Sequence, residues 1–303
     1  MRIAVFGQAA FGKDVFEALR DAGEELVGVS TPRQPDGARP DPLAEAAREA
    51  GIPVIPTRDL RKDGPFDQYQ AWAPELLVFA FVTDIVRKNV LDVPTHGAIQ
   101  YHPSLLPKHR GRSAMAWPVI AGETKTGVTI FWVDEGIDTG PILLQREEEI
   151  RPDDSVGSLY FDRLYPLGVE ALVEAVRVVR EGTAPRIEQD HSAATYDPPL
   201  GPEHAIVDWS RPGRVVHNHV RGCDPQPGAS CLHRREAIRL FNAAFADGYS
   251  EQTPGTVTGT AAGAIEVAVI GGTLTIGRVQ QAGERKVAAT EVVQVGDVLE
   301  RGL

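Results

Sequence analysis
The chain has 303 residues, 42% hydrophobic and 24% charged, a length that suits two domains better than one core. Its net charge of −11 and pI near 5.2 argue against a broad nucleic-acid surface. From residue 203 onward ten Lys plus Arg face eleven Asp plus Glu, so neither half has a basic excess. Cys223 and Cys231 are too few for a disulfide framework or a four-ligand metal site and read as free thiols. No apolar run approaches the roughly 18–20 residues of a membrane span. The N-terminus carries no cationic stretch followed by an apolar one. A cytoplasmic protein that does not engage a membrane is the expectation.

Residues 2–6 read as a short buried strand, and 11–22 carry Phe11, Val15, Phe16 and Leu19 at helical spacing. Between them, Gly7-Gln8-Ala9-Ala10-Phe11-Gly12 has Ala9 where a dinucleotide fingerprint needs glycine. A tight strand–helix turn is therefore favoured over a nicotinamide site. Residues 26–29, 54–55 and 76–81 predict strands, and 42–50, ended by Gly51, and 85–91 predict helices. Such alternation predicts right-handed βαβ units on a parallel sheet. Ser113 is placed to N-cap a helix over 114–121 that Gly122 ends. A strand over 142–150 and one long helix over 155–180 follow, the helix entered behind Asp153-Asp154. Pro185, Pro198, Pro199 and Pro202 in an apolar-poor stretch mark 183–204 as an extended linker. Beyond it, a helix over 212–220 precedes β-rich runs at 239–241, 255–258, 265–269 and 274–279. Gly-rich turns separate them, the pattern of a small antiparallel barrel. The expected division is a catalytic domain over 1–182, the linker, and a second domain over 205–303.

Chemistry concentrates in His102-Pro103-Ser104-Leu105-Leu106-Pro107-Lys108-His109-Arg110-Gly111. His102 ends the apolar run 97–101, and Pro103 and Pro107 stiffen the loop behind it. Further on, Asp134-Glu135-Gly136-Ile137-Asp138-Thr139-Gly140 closes the apolar run 127–133. Two adjacent parallel strands ending in a His and an Asp would join imidazole and carboxylate at the edge where α/β sheets bind ligands. A proton-transfer pair is the natural reading. His191, His204, His217, His219 and His233 lack ligand spacing, so metal-independent chemistry is expected.

These residues resemble the 10-formyltetrahydrofolate-using enzymes. That group holds methionyl-tRNA formyltransferase, sugar N-formyltransferases and the hydrolase domain of 10-formyltetrahydrofolate dehydrogenase. The likeness is greatest to that hydrolase domain. It rests on Met1-Arg2-Ile3-Ala4-Val5-Phe6-Gly7-Gln8, on Pro35-Asp36-Gly37 to Asp41-Pro42-Leu43, and on Tyr101-His102-Pro103-Ser104. Ile130-Phe131-Trp132, Gly136-Ile137-Asp138-Thr139-Gly140 and Val220-Arg221-Gly222 extend it over essentially the whole chain. The resemblance implies a Rossmann-like, mostly parallel formyltransferase fold followed by an OB-like β-barrel. It also implies 10-formyltetrahydrofolate as formyl donor.

On the same resemblance, His102 stabilises the oxyanion, while Asp138 orders the nucleophile and shuttles a proton. Ile130, Trp132 and Ile137 would raise the Asp138 pKa by desolvation. Gln100 is a departure: the transferases carry Asn there and the hydrolase domain an aliphatic residue. Gln keeps the amide donor but extends it by ~1.5 Å, one C–C bond. The pterin slot is expected along Phe81, Val82, Thr83 and Ile85 and along Gly136, Ile137, Asp138 and Gly140, the glycines admitting close backbone approach. Gln8, Ser104, Leu105, Leu106, Lys108 and Arg110 are expected to line the acceptor side. Formyl transfer to a small amine ranks first, hydrolysis by water close behind. Whole-chain likeness favours water; Gln100 and the lack of an attached dehydrogenase domain favour an amine. Methionyl-tRNA ranks third, because the 31–41 loop is short and mixed in charge where initiator-tRNA enzymes carry a basic insertion. A folate-binding module without chemistry ranks below it, since His102 and Asp138 are both retained, and a nicotinamide-dependent dehydrogenase lower still. Oligomeric state is not legible.

Overall fold
The computed structural model describes residues 1–35 and 37–302; Asp36, within one stretch that carries the resemblance, lies outside the described residues. The N-terminal elements are β1 (Arg2–Gly7), α1 (Ala9–Asp21), β2 (Glu25–Thr31), α2 (Pro42–Glu49), β3 (Val54–Pro56), α3 (Asp63–Ala71) and β4 (Leu76–Ala80). Next come α4 (Lys88–Leu91), β5 (Ala98–His102), α5 (Ala116–Ala121), β6 (Lys125–Trp132), β7 (Ile142–Glu149), α6 (Val156–Leu159) and α7 (Tyr165–Arg180). The remainder is α8 (Gly213–Gly222), β8 (Ala229–His233), β9 (Glu236–Asp247), β10 (Val257–Ala261), β11 (Ala264–Val269), β12 (Gly272–Gln281), β13 (Val287–Ala288) and β14 (Leu299–Glu300). No helix among the described residues is long and apolar enough to cross a membrane.

Two compact units emerge. The first holds 1–110, 127–147 and 164–196; the second holds 111–126, 148–163 and 197 onward. Segments 111–126 and 148–163, expected within 1–182, thus lie in the second unit. Residues 183–196, expected as linker, are part of the first.

In the first unit the strands run in the order β3-β2-β1-β4-β5-β6-β7. Pairs β1–β2, β1–β4, β2–β3 and β4–β5 are parallel, giving the Rossmann-like order with its switch point between β1 and β4. β4 is buried along its whole length, as a parallel strand covered on both faces must be. α1 buries Phe11, Val15, Phe16 and Leu19, the stripe that the spacing predicts. It meets α7 through the Tyr165 hydroxyl, which donates to Asp14 at 2.6 Å. Gly28 is required on β2, because a Cβ there would lie 2.2 Å from the Trp72 ring.

Three local expectations are corrected. The strand holding His102 and the next apolar run are antiparallel, with His102 opposite Thr129 and Ile99 opposite Trp132. Ser113 does not cap α5, since its hydroxyl accepts from the Leu200 amide at 2.8 Å; Gly122 does end that helix, at φ 74°. The long helix expected over 155–180 is present, running without interruption from residue 156 to 180 through a π-helical turn at Tyr160–Leu164. Pro166 opens α7, where a ring without an N–H cannot continue the preceding ladder. The predicted 85–91 helix shrinks to α4.

The second unit carries an antiparallel sheet in the order β10-β11-β12-β9-β8-β14, with β13 on β12. The Val257 amide donates to Asp297 and the Leu299 amide to Gly255, so the two ends of that path meet and the sheet curls toward a barrel. Its core includes Val216, Val220, Leu240, Val267, Leu274 and Ile276. Cys223 and Cys231 are free and buried there, their thiols pushed up to about 12 by burial.

Candidate active site
The loops at the carboxyl ends of β1, β4 and β5 converge in the first unit. At the switch point, Gln8 Nε2 donates to Thr83 Oγ1 at 3.4 Å, tying the loop after β1 to the loop after β4. The Ala9 amide donates to Asp41 Oδ2 at 2.8 Å, which holds Ala9 at φ 59°. Phe81 follows β4 at φ 63°, an outlier for a bulky residue and of the kind that clusters at functional sites. Phe81 and Ile85 are exposed, Ile85 to 82%.

Gln100 and His102 sit two residues apart on β5, so both point to one face of the strand. His102 is only 4% exposed. Its Nε2 lies 2.8 Å from the His109 carbonyl oxygen and its Nδ1 lies 3.6 Å from Asp138 Oδ2. Gln100 Nε2 donates to Asp138 Oδ1 at 3.4 Å. These three residues are brought together, although not by parallel strand ends. β6 runs away from His102, and the loop after it carries Asp138 back over the face of β5. Asp138 itself is buried and sits at φ 54°, a conformation that Asp tolerates better than most residues.

That loop is built on Asp134, whose Oδ1 accepts from the Gly136 amide at 3.0 Å and from Thr139 Oγ1 at 2.7 Å. Asp134 is thereby engaged in the turn. A Cβ on Gly136 would lie 1.9 Å from Thr139 Oγ1, and one on Gly140 1.7 Å from the Trp132 carbonyl oxygen. Both glycines are therefore required by the loop's own closure. Ile130 and Trp132 are buried, whereas Ile137, expected to help enclose Asp138, is 68% exposed. Lys88 has its pKa raised, first by its hydrogen bond to Asp92 and further by the fields of Asp92 and Glu135. The 81–88 and 134–140 segments are thus within Coulombic reach of each other, and Phe81, Ile85 and Ile137 on them are exposed.

The proposed acceptor side divides. Lys108 is exposed and Leu105 half-buried, as a rim requires. Ser104, Leu106 and Arg110 are buried instead. Ser104 Oγ donates to the Lys108 carbonyl at 2.8 Å, and the Leu106 amide donates to Thr129 Oγ1 at 3.2 Å. Arg110 is 1% exposed and points inward, so it is no part of a solvated rim. Its Nε and Nη2 donate to Gln189 Oε1 at 3.2 and 2.6 Å, and its Nη1 to the Tyr196 hydroxyl at 2.7 Å. Sequence reasoning missed Thr129, Gln145, Gln189 and Thr195, which brace these loops. Gln145 Nε2 donates to the Leu106 carbonyl at 2.7 Å and to Thr129 Oγ1 at 2.9 Å. No local signal marks them, since each acts on partners far away in sequence.

Comparison with known proteins agrees with this architecture. A family model described as formyl transferase matches residues 1–176, and one described as formyl transferase, C-terminal domain, matches 199–295. The cytosolic 10-formyltetrahydrofolate dehydrogenase of Xenopus tropicalis is 43% identical over 250 residues, 81% of this chain. The chain spans only 28% of that relative's length. The methionyl-tRNA formyltransferase of Pelobacter propionicus is 39% identical over 289 residues, covering 94% of this chain and 90% of its own. Among solved structures, the N-formyltransferase from Helicobacter canadensis, in complex with folinic acid and dTDP-3-aminofucose, shares the fold with a TM-score of 0.71. Its identity is 16%, over 90% of this chain and 97% of that one. On these matches the chain belongs to the formyl transferase family.

Proposed function
We propose that the chain transfers the formyl group of 10-formyltetrahydrofolate to a small-molecule amine, releasing tetrahydrofolate. The observation that carries this reading is the Gln100–His102–Asp138 cluster over one face of β5, with the apolar side chains of Phe81, Ile85 and Ile137 exposed on the loops after β4 and β6. A flat pterin ring suits Phe81, Val82, Thr83 and Ile85 on one side and the 136–140 loop on the other. Gln8, Leu105 and Lys108 remain for the acceptor.

The chemistry asked of the cluster is modest and balanced. The amine nitrogen attacks the formyl carbon and loses a proton, the bond from carbon to the folate nitrogen breaks, and that nitrogen gains a proton. A carbonyl oxygen only accepts, so His102 Nε2 facing the His109 carbonyl carries a hydrogen. Nδ1 is then the ring atom left to the oxyanion and to Asp138. Asp138 Oδ2, 3.6 Å from Nδ1, can take the proton that the attacking amine loses and return it to the leaving nitrogen. Positioned acid–base catalysis contributes roughly 10²–10⁴-fold and a donor at the oxyanion about 10²–10³-fold. Gln100 Nε2 makes only a long contact with Asp138, and turning it toward the formyl oxygen costs little.

Hydrolysis is the second reading, favoured by the identity to 10-formyltetrahydrofolate dehydrogenases. Water would then occupy the place of the amine. The Helicobacter canadensis N-formyltransferase, solved in complex with folinic acid and dTDP-3-aminofucose, supports the amine class instead. The chain is incubated with 10-formyltetrahydrofolate, alone and with candidate amines or methionyl-tRNA, while formate and formylated product are measured. Formyl-amine above the formate background is expected. Formate release indifferent to every amine would establish the hydrolase reading. Efficient, salt-sensitive formylation of methionyl-tRNA would reverse the ranking of acceptors.

A further inference from the structure
We propose that Gln189 is a positioning residue for Asp138, relaying the buried Arg110 onto the main chain of the acid loop; its catalytic meaning rests on the function proposed above. Gln189 is buried, and its side-chain amide is engaged at both ends. Its Nε2 donates to the Asp138 carbonyl at 3.0 Å and to the Gly140 carbonyl at 2.7 Å. Its Oε1 accepts from Arg110 Nε at 3.2 Å and from Nη2 at 2.6 Å. A guanidinium only donates and main-chain carbonyls only accept, so the orientation of the amide is fixed by its partners. No other natural side chain of this length offers two donors on one atom and an acceptor for a fork on the other.

The consequence falls on Asp138. Its left-handed backbone, φ 54°, persists only where surrounding contacts over-determine it, and Gln189 grips the carbonyl of that residue. Arg110 is itself anchored, by the Tyr196 hydroxyl, by His191 Nδ1 at 3.1 Å, and over the Tyr196 ring at 5.3 Å. The same stretch holds the histidine loop. Thr195 Oγ1 accepts from the His109 amide at 2.8 Å, and the Thr195 carbonyl accepts from the Arg110 amide at 2.9 Å. His109 in turn receives His102 Nε2. Residues 189–196 therefore place both halves of the His102–Asp138 pair in one frame.

Gln189→Glu tests this in the full chain. The carboxylate keeps the length and still pairs with Arg110, but sets an acceptor against two carbonyl oxygens. Gln189→Ala, which strips Arg110 of its acceptor, serves as the comparison for plain loss of packing. The His102 ring is titrated by NMR without folate, and kcat, KM for 10-formyltetrahydrofolate and thermal melting are measured. Gln189→Glu is expected to shift the His102 titration and, at temperatures where the chain stays folded, to lower kcat about 10- to 100-fold with KM near wild type. An unshifted titration with wild-type kcat, or a loss that merely tracks unfolding, overturns the proposal. A shifted titration in a chain that never turns over 10-formyltetrahydrofolate would uphold the positioning and remove the reaction reading.

Discussion
His102 faces Asp138 at 3.6 Å in the first unit, whereas His233 meets Asp297 at 2.8 Å in the second. Both histidines are buried to the same degree, so burial does not distinguish them. Distance does. Asp297 accepts from His233, from Arg234 Nη2 at 3.0 Å and from the Gln294 amide at 2.9 Å, closing the turn that leads into β14. Asp138 stands 3.6 Å from His102 and 3.4 Å from Gln100, and it does so from a left-handed backbone that other residues must hold in place. A short pair belongs to architecture. A long one at the ligand edge of a parallel sheet is free to tighten around a substrate, as catalytic hydrogen bonds do.

The sharpest way to break this contrast is to make the same isosteric change in both. Asp138→Asn should lower turnover of 10-formyltetrahydrofolate by about 10²-fold or more, since it abolishes proton transfer at the reacting centre. Folate affinity and melting temperature should stay close to wild type, because the lost interaction matters in the transition state. His102→Ala should behave alike. Asp297→Asn should show the reverse, with wild-type turnover and a lower melting temperature. Steady-state kinetics and calorimetry on the three variants decide it; wild-type turnover in Asp138→Asn would refute its assigned role.

A smaller effect is expected at Gln100, which touches the loose pair but carries no charge. If an amine is the acceptor, Gln100→Ala should slow product formation by more than about tenfold, in line with the loss of an oxyanion donor. If water is the acceptor, formate release should change little. Product analysis on the variant thus separates the two acceptors through one side chain.

The sequence displayed the residues of the candidate pair but not what holds them. His102, Asp138 and the proline-stiffened loop are legible because local chemistry marks them. Strand direction is not: an apolar run such as 127–133 has the same pattern read either way, so the antiparallel β5–β6 pairing was invisible. Arg110 sits among Lys108, His109 and Arg112, where a cation reads as solvated. Only partners at 189, 191 and 196 make its burial tolerable, and their separation in sequence hides them. The β8–β9 hairpin was missed for a different reason. Its two-residue turn is Arg234-Arg235, at φ 51° and 68°, instead of the Asn-Gly that announces such turns. The π-helical turn before α7 did have a signal in Pro166, outweighed by the apolar periodicity around it.

The smallest effect lies in the pH dependence of the second pair. Burial alone would raise the Asp297 carboxyl, but the Gln294 amide, the His233 ring and the Arg234 guanidinium outweigh it and bring it down to about 2, from an ordinary 3.8. A carboxyl whose pKa is depressed on folding stabilises the folded chain above its unfolded pKa, and that contribution fades as pH falls through the folded value. The stabilisation should therefore be complete above pH 3.8 and vanish toward pH 2. Asp297 lies near solvent, where screening trims such terms, so the gain is on the order of 1 kcal/mol. That corresponds to roughly 2–4 °C in melting temperature for a chain of this class. Melting of wild type and Asp297→Asn, followed from pH 5 to pH 2, should converge across this window. A gap that stayed constant to the lowest pH would mean that shape, not charge, makes the tight pair stabilising.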